Sequence, residues 1–245
     1  MPEQISSIAR NLERVRAQIA QAAKRAGRSA NEIVLIAVSK TFPVEAIRTA
    51  YDAGMREFAE NRVQELETKR LKLPDIDVVW HLIGHLQSNK AKRAAQLFDR
   101  VDSVDNLPLA QKLNTAAGEQ GKRLPVLIEV HMGGEATKNG IAEAELPTLA
   151  RDIAELPHLE LRGLMTVPPY SEDLERVRPY FRQLRALDQE LGRELGRPLP
   201  VISMGMSHDF EVAIEEGSTE IRIGTALFGE RNSNGVPRAP AQLEG

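Results

Sequence analysis

The 245-residue chain contains no cysteine. That excludes a disulfide framework, a thiolate metal site and a cysteine nucleophile. Aromatics are scarce: one Trp, three Tyr and six Phe are too few for stacking platforms along single-stranded nucleic acid. Neither sign of charge dominates, since 32 Lys and Arg stand against 35 Asp and Glu, a net charge of −3. No whole-molecule positive field exists to hold a phosphate backbone, which leaves room only for a local pocket for one small anion. Long apolar runs are missing too. None approaches the roughly 20 residues of a membrane span, and Met1 to Arg16 is polar, without the apolar core of a signal segment. The expectation is a cytoplasmic protein. HExxH, GxGxxG and Walker patterns are absent, and Gly134 to Gly140, with Lys138, lacks the spacing of a phosphate loop.

What is present is a repeated strand-then-helix pattern. Ile5, Ile8, Leu12, Val15 and Ile19 mark an amphipathic helix over 5–23, ended by Gly27 and Ser29-Ala30-Asn31. Ile33 to Val38 is then a continuous, largely β-branched apolar run, which suits a strand covered on both faces. Strands are predicted at 33–39, 55–60, 77–83, 100–104, 125–132, 160–167, 200–205 and 220–224. Amphipathic helices are predicted between them at 43–53, 61–72, 86–98, 107–120, 143–155, 173–195 and 208–216. Strict alternation means a parallel sheet with right-handed crossovers, and eight units favour closure. The fold class is therefore α/β, a single (β/α)8 TIM barrel with an extra N-terminal helix. The length fits, since one such barrel takes about 250 residues. Residues 1–231 are expected to form one domain, with 232–245 a disordered tail.

Ligands of such barrels sit at the carboxyl ends of the strands. Lys40 ends the first strand. It reads either as a solvated lysine or as a desolvated amine able to form a Schiff base with an aldehyde. Ser203-Met204-Gly205-Met206-Ser207 and Gly224-Thr225 end strands seven and eight, where barrels often bind phosphate. The alternative for each is ordinary turn and capping chemistry, with Ser207 a candidate N-cap for the next helix. Arg222 sits between Ile221 and Ile223, so an interior guanidinium needs a partner. That partner is either a barrel carboxylate such as Glu129 or a ligand acceptor; pyridoxal phosphate enzymes place an Asp or Arg against the pyridine nitrogen. His81 and His85, four apart on a strand, lie about 13 Å from each other, too far for one ion. His131, His158 and His208 read as structural or exposed. Lys69-Arg70 and Lys90-Ala91-Lys92-Arg93 read as solvated helix faces.

Six ordered motifs carry a resemblance. They are Val38-Ser39-Lys40-Thr41, Glu60-Asn61-Arg62-Val63-Gln64-Glu65, Trp80 to Lys90 (WHLIGHLQSNK), Gly163-Leu164-Met165, Ser203 to Ser207, and Arg222-Ile223-Gly224-Thr225. Over roughly residues 5–231 the chain resembles the pyridoxal phosphate homeostasis proteins, an alanine-racemase-like barrel family whose bacterial members include the YggS proteins. The resemblance implies a barrel of pyridoxal-enzyme fold type III. It implies that Lys40 forms the internal aldimine with pyridoxal 5′-phosphate and that Arg222 faces the pyridine nitrogen. It also implies that Ser203, Ser207, Gly224 and Thr225 hold the phosphate, and that Asn61 and Met165 line the ring. Lys138, in Thr137-Lys138-Asn139-Gly140, matches a second lysine near the mouth, a candidate relay site. One departure is Ala59-Glu60-Asn61-Arg62, where family members often carry Gly and then Glu-Asn-Tyr. It leaves the shape of that wall open.

Three functions compete at this point. The first is a cofactor carrier in vitamin B6 and amino-acid homeostasis, without substantial turnover and with no catalytic residue assigned, whose recipients are apo-enzymes. The second is a pyridoxal-dependent amino-acid racemase. That reaction needs two acid/base groups, and in racemases of this fold type the second is a tyrosine from a partner's separate domain. Tyr51, Tyr170 and Tyr180 have no evident claim, and the length leaves no room for a second domain. The third is a Schiff-base barrel enzyme acting on a sugar phosphate.

Overall fold

A computed structural model describes residues 2–133 and 139–230. Lys138 and the tail 232–245 therefore lie outside the described residues. Eight parallel strands close into a barrel in chain order: β1 (Val34–Val38), β2 (Glu57–Glu60), β3 (Val79–Leu82), β4 (Arg100–Val104), β5 (Leu124–Glu129), β6 (Leu159–Met165), β7 (Val201–Met206) and β8 (Glu220–Ile223). The last pairing, β1 with β8, runs from Val34–Glu220 to Ala37–Ile223 and completes the closure. All eight strands fall where the sequence places them, most of them short, largely apolar runs bounded by turn residues.

The helices are α1 (Pro2–Arg25), α2 (Val44–Asp52), α3 (Val63–Lys72), α4 (Ala91–Leu97), α5 (Leu107–Gly118), α6 (Leu146–Ala154), α7 (Leu174–Glu194), α8 (Phe210–Glu215) and α9 (Thr225–Phe228). The predicted helix over 86–98 is shorter: a 3-10 turn at Ser88–Lys90 precedes α4. The four-residue α9 is unpredicted, since it is too short to show a period. α1 lies outside the barrel against α2, α8 and α9, burying Ile8, Leu12, Val15 and Ile19. Gly27, at φ +67°, lets Arg28 N–H reach back to Ala23 O at 2.9 Å and stops that helix. Among the described residues no helix is long and apolar enough to cross a membrane.

The apolar residues of the barrel fall into one main cluster and two small ones. Ala37 and Phe58 face outward into the main cluster beneath the helices, while Ile36, Val38 and Ala59 form a separate cluster inside. The interior is otherwise unusually polar. Near the amino ends of the strands, Arg100 makes a two-pronged bond to Asp102 at 2.6 and 2.9 Å and also binds Glu220. His81 Nε2 lies 2.7 Å from Glu57, and its Nδ1 is 3.5 Å from Asp102. These charges are mutually paired, as buried charges must be. The partnered histidine is pushed up to about 9 by Asp102 and Glu57 against the opposing effect of burial. This polar floor leaves the carboxyl ends of the strands for the site.

Candidate functional site

One cavity of about 570 Å³ opens at the carboxyl ends of the strands. Lys40, Asn61, Ser207, Arg222, Gly224 and Thr225 all line it. They come from four strand ends separated by up to 185 positions in sequence, and the barrel brings them together.

Lys40 stands just beyond β1, after Ser39, and the next residue, Thr41, has φ +67°. A β-branched residue there costs roughly 1–2 kcal/mol, so its surroundings must hold it. Asn61 follows β2. Its Oδ1 is buried without a hydrogen-bond partner among the described residues. Gly84, after β3, packs on the Asn61 backbone so closely that a Cβ would lie 2.4 Å from Asn61 O.

Arg222 on β8 is buried, and its hydrogen bonds go to neutral oxygens: Nη1 donates to Ser203 Oγ at 2.7 Å and Nη2 to Thr166 O at 2.7 Å. The ion pair with Glu129 weighed from sequence is not its anchor. Burial lowers the guanidinium from its ordinary value, and Asp102, Glu129, Asp209 and Glu220 oppose that shift.

Ser203 takes a different place from the one expected. It is fully buried, does not line the cavity, and fixes Arg222 from behind. Met165 is likewise fully buried and clusters with Leu127 and Val201 instead of lining the cavity. The cause in β7 is a bulge. Ser203 pairs with Glu220 but Met206 with Arg222, so one extra residue is inserted around Gly205, at φ +96°. The bulge re-aims Met206 and Ser207 toward the cavity. Ser207 does not cap α8, whose N-cap is Asp209. Its Oγ instead accepts from Gly224 N–H and Ala226 N–H, each at 3.2 Å. The hydroxyls of Ser207 and Thr225 and the Gly224 backbone thus form one polar corner.

Four further polar side chains line the cavity that the sequence does not mark as ligands. Glu129 ends β5 with Oε2 buried and unpartnered among the described residues. Burial, reinforced by Asp105 and opposed by Arg222, raises this carboxyl to about 7. His85 sits 3.3 Å from Asp105, and His208 hydrogen bonds Ser171 O at 3.1 Å. Asn139 completes the mouth. The strand-end rule points to His85; Glu129 reaches the mouth because β5 stops at 129, short of the expected 132, and nothing local marks Asn139. Among the described residues no cluster of His, Cys, Asp or Glu is placed to hold a metal ion.

Lys69 also departs from expectation. Its side chain is not solvated but buried, with Nζ bonded to Ser39 O, Glu60 and Glu65. The α3 helix turns positions 63, 66 and 69 inward, so the cation meets carboxylates supplied by β2 and by α3 itself.

The sequence pattern of the alanine racemase N-terminal domain family matches residues 10–232. The chain belongs to that family. A pyridoxal phosphate homeostasis protein of Aquifex aeolicus is 50% identical over 220 residues, covering 90% of this chain and 96% of that one. One of the same name from Escherichia coli is 44% identical over 231 residues, covering 93% and 98%. The structure of PipY from Synechococcus elongatus with pyridoxal phosphate bound superposes with a TM-score of 0.82 at 39% identity, covering 91% of this chain and all of that one. An alanine racemase of Clostridium difficile shares the fold, with a TM-score of 0.73 at 17% identity, and this chain spans 58% of its length.

The cavity fits a phosphorylated aldehyde. A primary amine, a buried guanidinium, unpartnered buried acceptors at Asn61 and Glu129, and a corner of hydroxyl and amide groups share its walls. A Cβ added at Gly224 would meet no atom nearer than 3.6 Å.

Proposed function

We propose that this protein binds pyridoxal 5′-phosphate reversibly in the barrel mouth and serves intracellular vitamin B6 and amino-acid homeostasis, releasing the cofactor to apo-enzymes. The observation that carries this reading is the convergence of Lys40, Arg222 and the Ser207–Gly224–Thr225 corner on one cavity. The cofactor supplies an aldehyde that condenses with a primary amine and releases water, a reversible attachment.

Each residue has a part. Lys40 is the attaching amine. Ser207, Gly224 and Thr225 donate to the phosphate. Arg222, fixed by Ser203 and Thr166, donates to the ring nitrogen. A guanidinium keeps its proton, so the nitrogen it serves stays unprotonated and the ring is a weak electron sink. That favours holding over turnover. Asn61 orients the ring, and Met165 supports the β6 wall from behind. One fact favours this over racemisation: relatives at 50% and 44% identity bear the homeostasis name.

The test is borohydride reduction of the protein after incubation with pyridoxal phosphate, followed by peptide mass spectrometry. A phosphopyridoxyl group on Lys40 is expected, with visible absorption lost in Lys40→Ala. A group located elsewhere overturns the assignment. A protein that stays colourless would favour a sugar-phosphate aldehyde as ligand. Rapid interconversion of D- and L-alanine by the purified protein would restore the racemase reading.

A further inference from the structure

Lys69 spends all three of its ammonium protons on buried acceptors: Ser39 O at 2.8 Å, Glu60 Oε1 at 2.7 Å and Glu65 Oε1 at 2.7 Å. Those acceptors flank Lys40 on both sides. Before it, the Ser39 carbonyl binds Lys69, and the Ser39 hydroxyl donates to the same Glu60 oxygen at 2.6 Å. After it, Thr41 N–H donates to the same Glu65 oxygen at 2.5 Å. Thr41 is the one non-glycine residue with positive φ among the described residues. A backbone held in that region persists only where its surroundings over-determine it. Here the surroundings are one buried cation and two carboxylates.

We propose that Lys69 is a positioning residue for Lys40: with Glu60 and Glu65 it clamps the strained turn and fixes where the Lys40 amine enters the cavity. This rests on the reading of Lys40 as the cofactor lysine. A lysine serving only to neutralise two acids would have no need to bind the Ser39 carbonyl, nor to share a carboxylate oxygen with the Thr41 amide. The clamp sits outside the cavity wall, so it acts through Lys40 and not on the ligand.

The experiment compares wild type, Lys69→Met and Glu65→Gln by pyridoxal phosphate titration, by the pH midpoint of the bound-cofactor absorption, and by thermal melting. Lys69→Met is expected to weaken binding about tenfold. It should also move the pH midpoint upward, because losing a cation beside two carboxylates favours the protonated state of a nearby nitrogen. Wild-type affinity and midpoint in a folded Lys69→Met protein overturn the proposal. If Lys69→Met does not fold, Glu65→Gln decides: a raised dissociation constant and a displaced midpoint support the clamp, and unchanged values refute it. Borohydride trapping on wild type separates the two layers. A label away from Lys40 defeats the function reading itself, whereas a label on Lys40 with unchanged variants defeats only the clamp.

Discussion

Asp188 lies on the buried stripe of α7 with Val177, Phe181, Leu184 and Leu191, and its Oδ1 has no hydrogen-bond partner among the described residues. Burial alone raises this carboxyl from 3.8 to about 7. The native form therefore keeps its proton up to near neutrality while the unfolded chain releases it near its ordinary value. The ionised group opposes folding above that point. Asp188→Leu is expected to stabilise the protein at pH 8 by about 1–3 kcal/mol, the desolvation cost of an unsatisfied polar group. The gain should shrink toward pH 5. Urea melts at the two pH values check this, and an equal gain at both would refute it. Ser203 shows the opposite case, a polar group whose partner depends on it. Ser203→Ala leaves Arg222 Nη1 without its acceptor. It should cost about 1–3 kcal/mol of stability and weaken pyridoxal phosphate binding in titrations, although Ser203 does not line the cavity.

At the scale of elements, the ends of strands decide the site. Gly84 allows the turn after β3 to rest on Asn61, and a Cβ there would lie 2.4 Å from Asn61 O and 2.8 Å from its Cα. Gly84→Ala is expected to lower stability by about 1–3 kcal/mol, the usual cost of overpacking. Cofactor affinity should fall with it, as measured by melting and titration; wild-type values in both would show that this contact relaxes freely. The strands were legible in the sequence because short β-branched runs alternate with amphipathic segments, and the strand-end rule then located Lys40, Asn61, Ser207, Arg222, Gly224 and Thr225. What was not legible depended on partners far away in the chain. Ser203 and Ser207 look equivalent until the β7 bulge at Gly205 separates their directions. Lys69 sits in a polar stretch, Thr68-Lys69-Arg70, and only Glu60 on β2 and the Ser39 carbonyl on the turn after β1 reveal why it is buried.

For the whole molecule, Glu60, Glu129, Asp188 and His81 are four buried groups that bind protons more tightly in the native than in the unfolded state, and Asp209, also raised by burial, adds in the same direction. Glu60 and Glu129 are raised to about 7, chiefly by burial, and Asp188 likewise. His81 is raised to about 9 by its carboxylate neighbours. The carboxyls penalise the native state as pH rises from their ordinary values near 4 through 7. The His81 contribution is fully present below its ordinary 6.5 and is lost as pH rises through 9. Both trends have the same sign, because the native state carries more protons throughout this window. Denaturant melts should therefore show stability declining from about pH 5 to pH 9, less steeply in Glu129→Gln. A flat profile would contradict the protonation states assigned to these four groups.

The hydroxyl of Ser207 already occupies the amides of Gly224 and Ala226 at 3.2 Å. A phosphate that uses those two amides therefore displaces an internal substitute that returns when it leaves. Filling and emptying the corner trade one oxygen for another, so the empty state carries little penalty. On the proposed reading, such an exchange lowers the cost of the cofactor's departure.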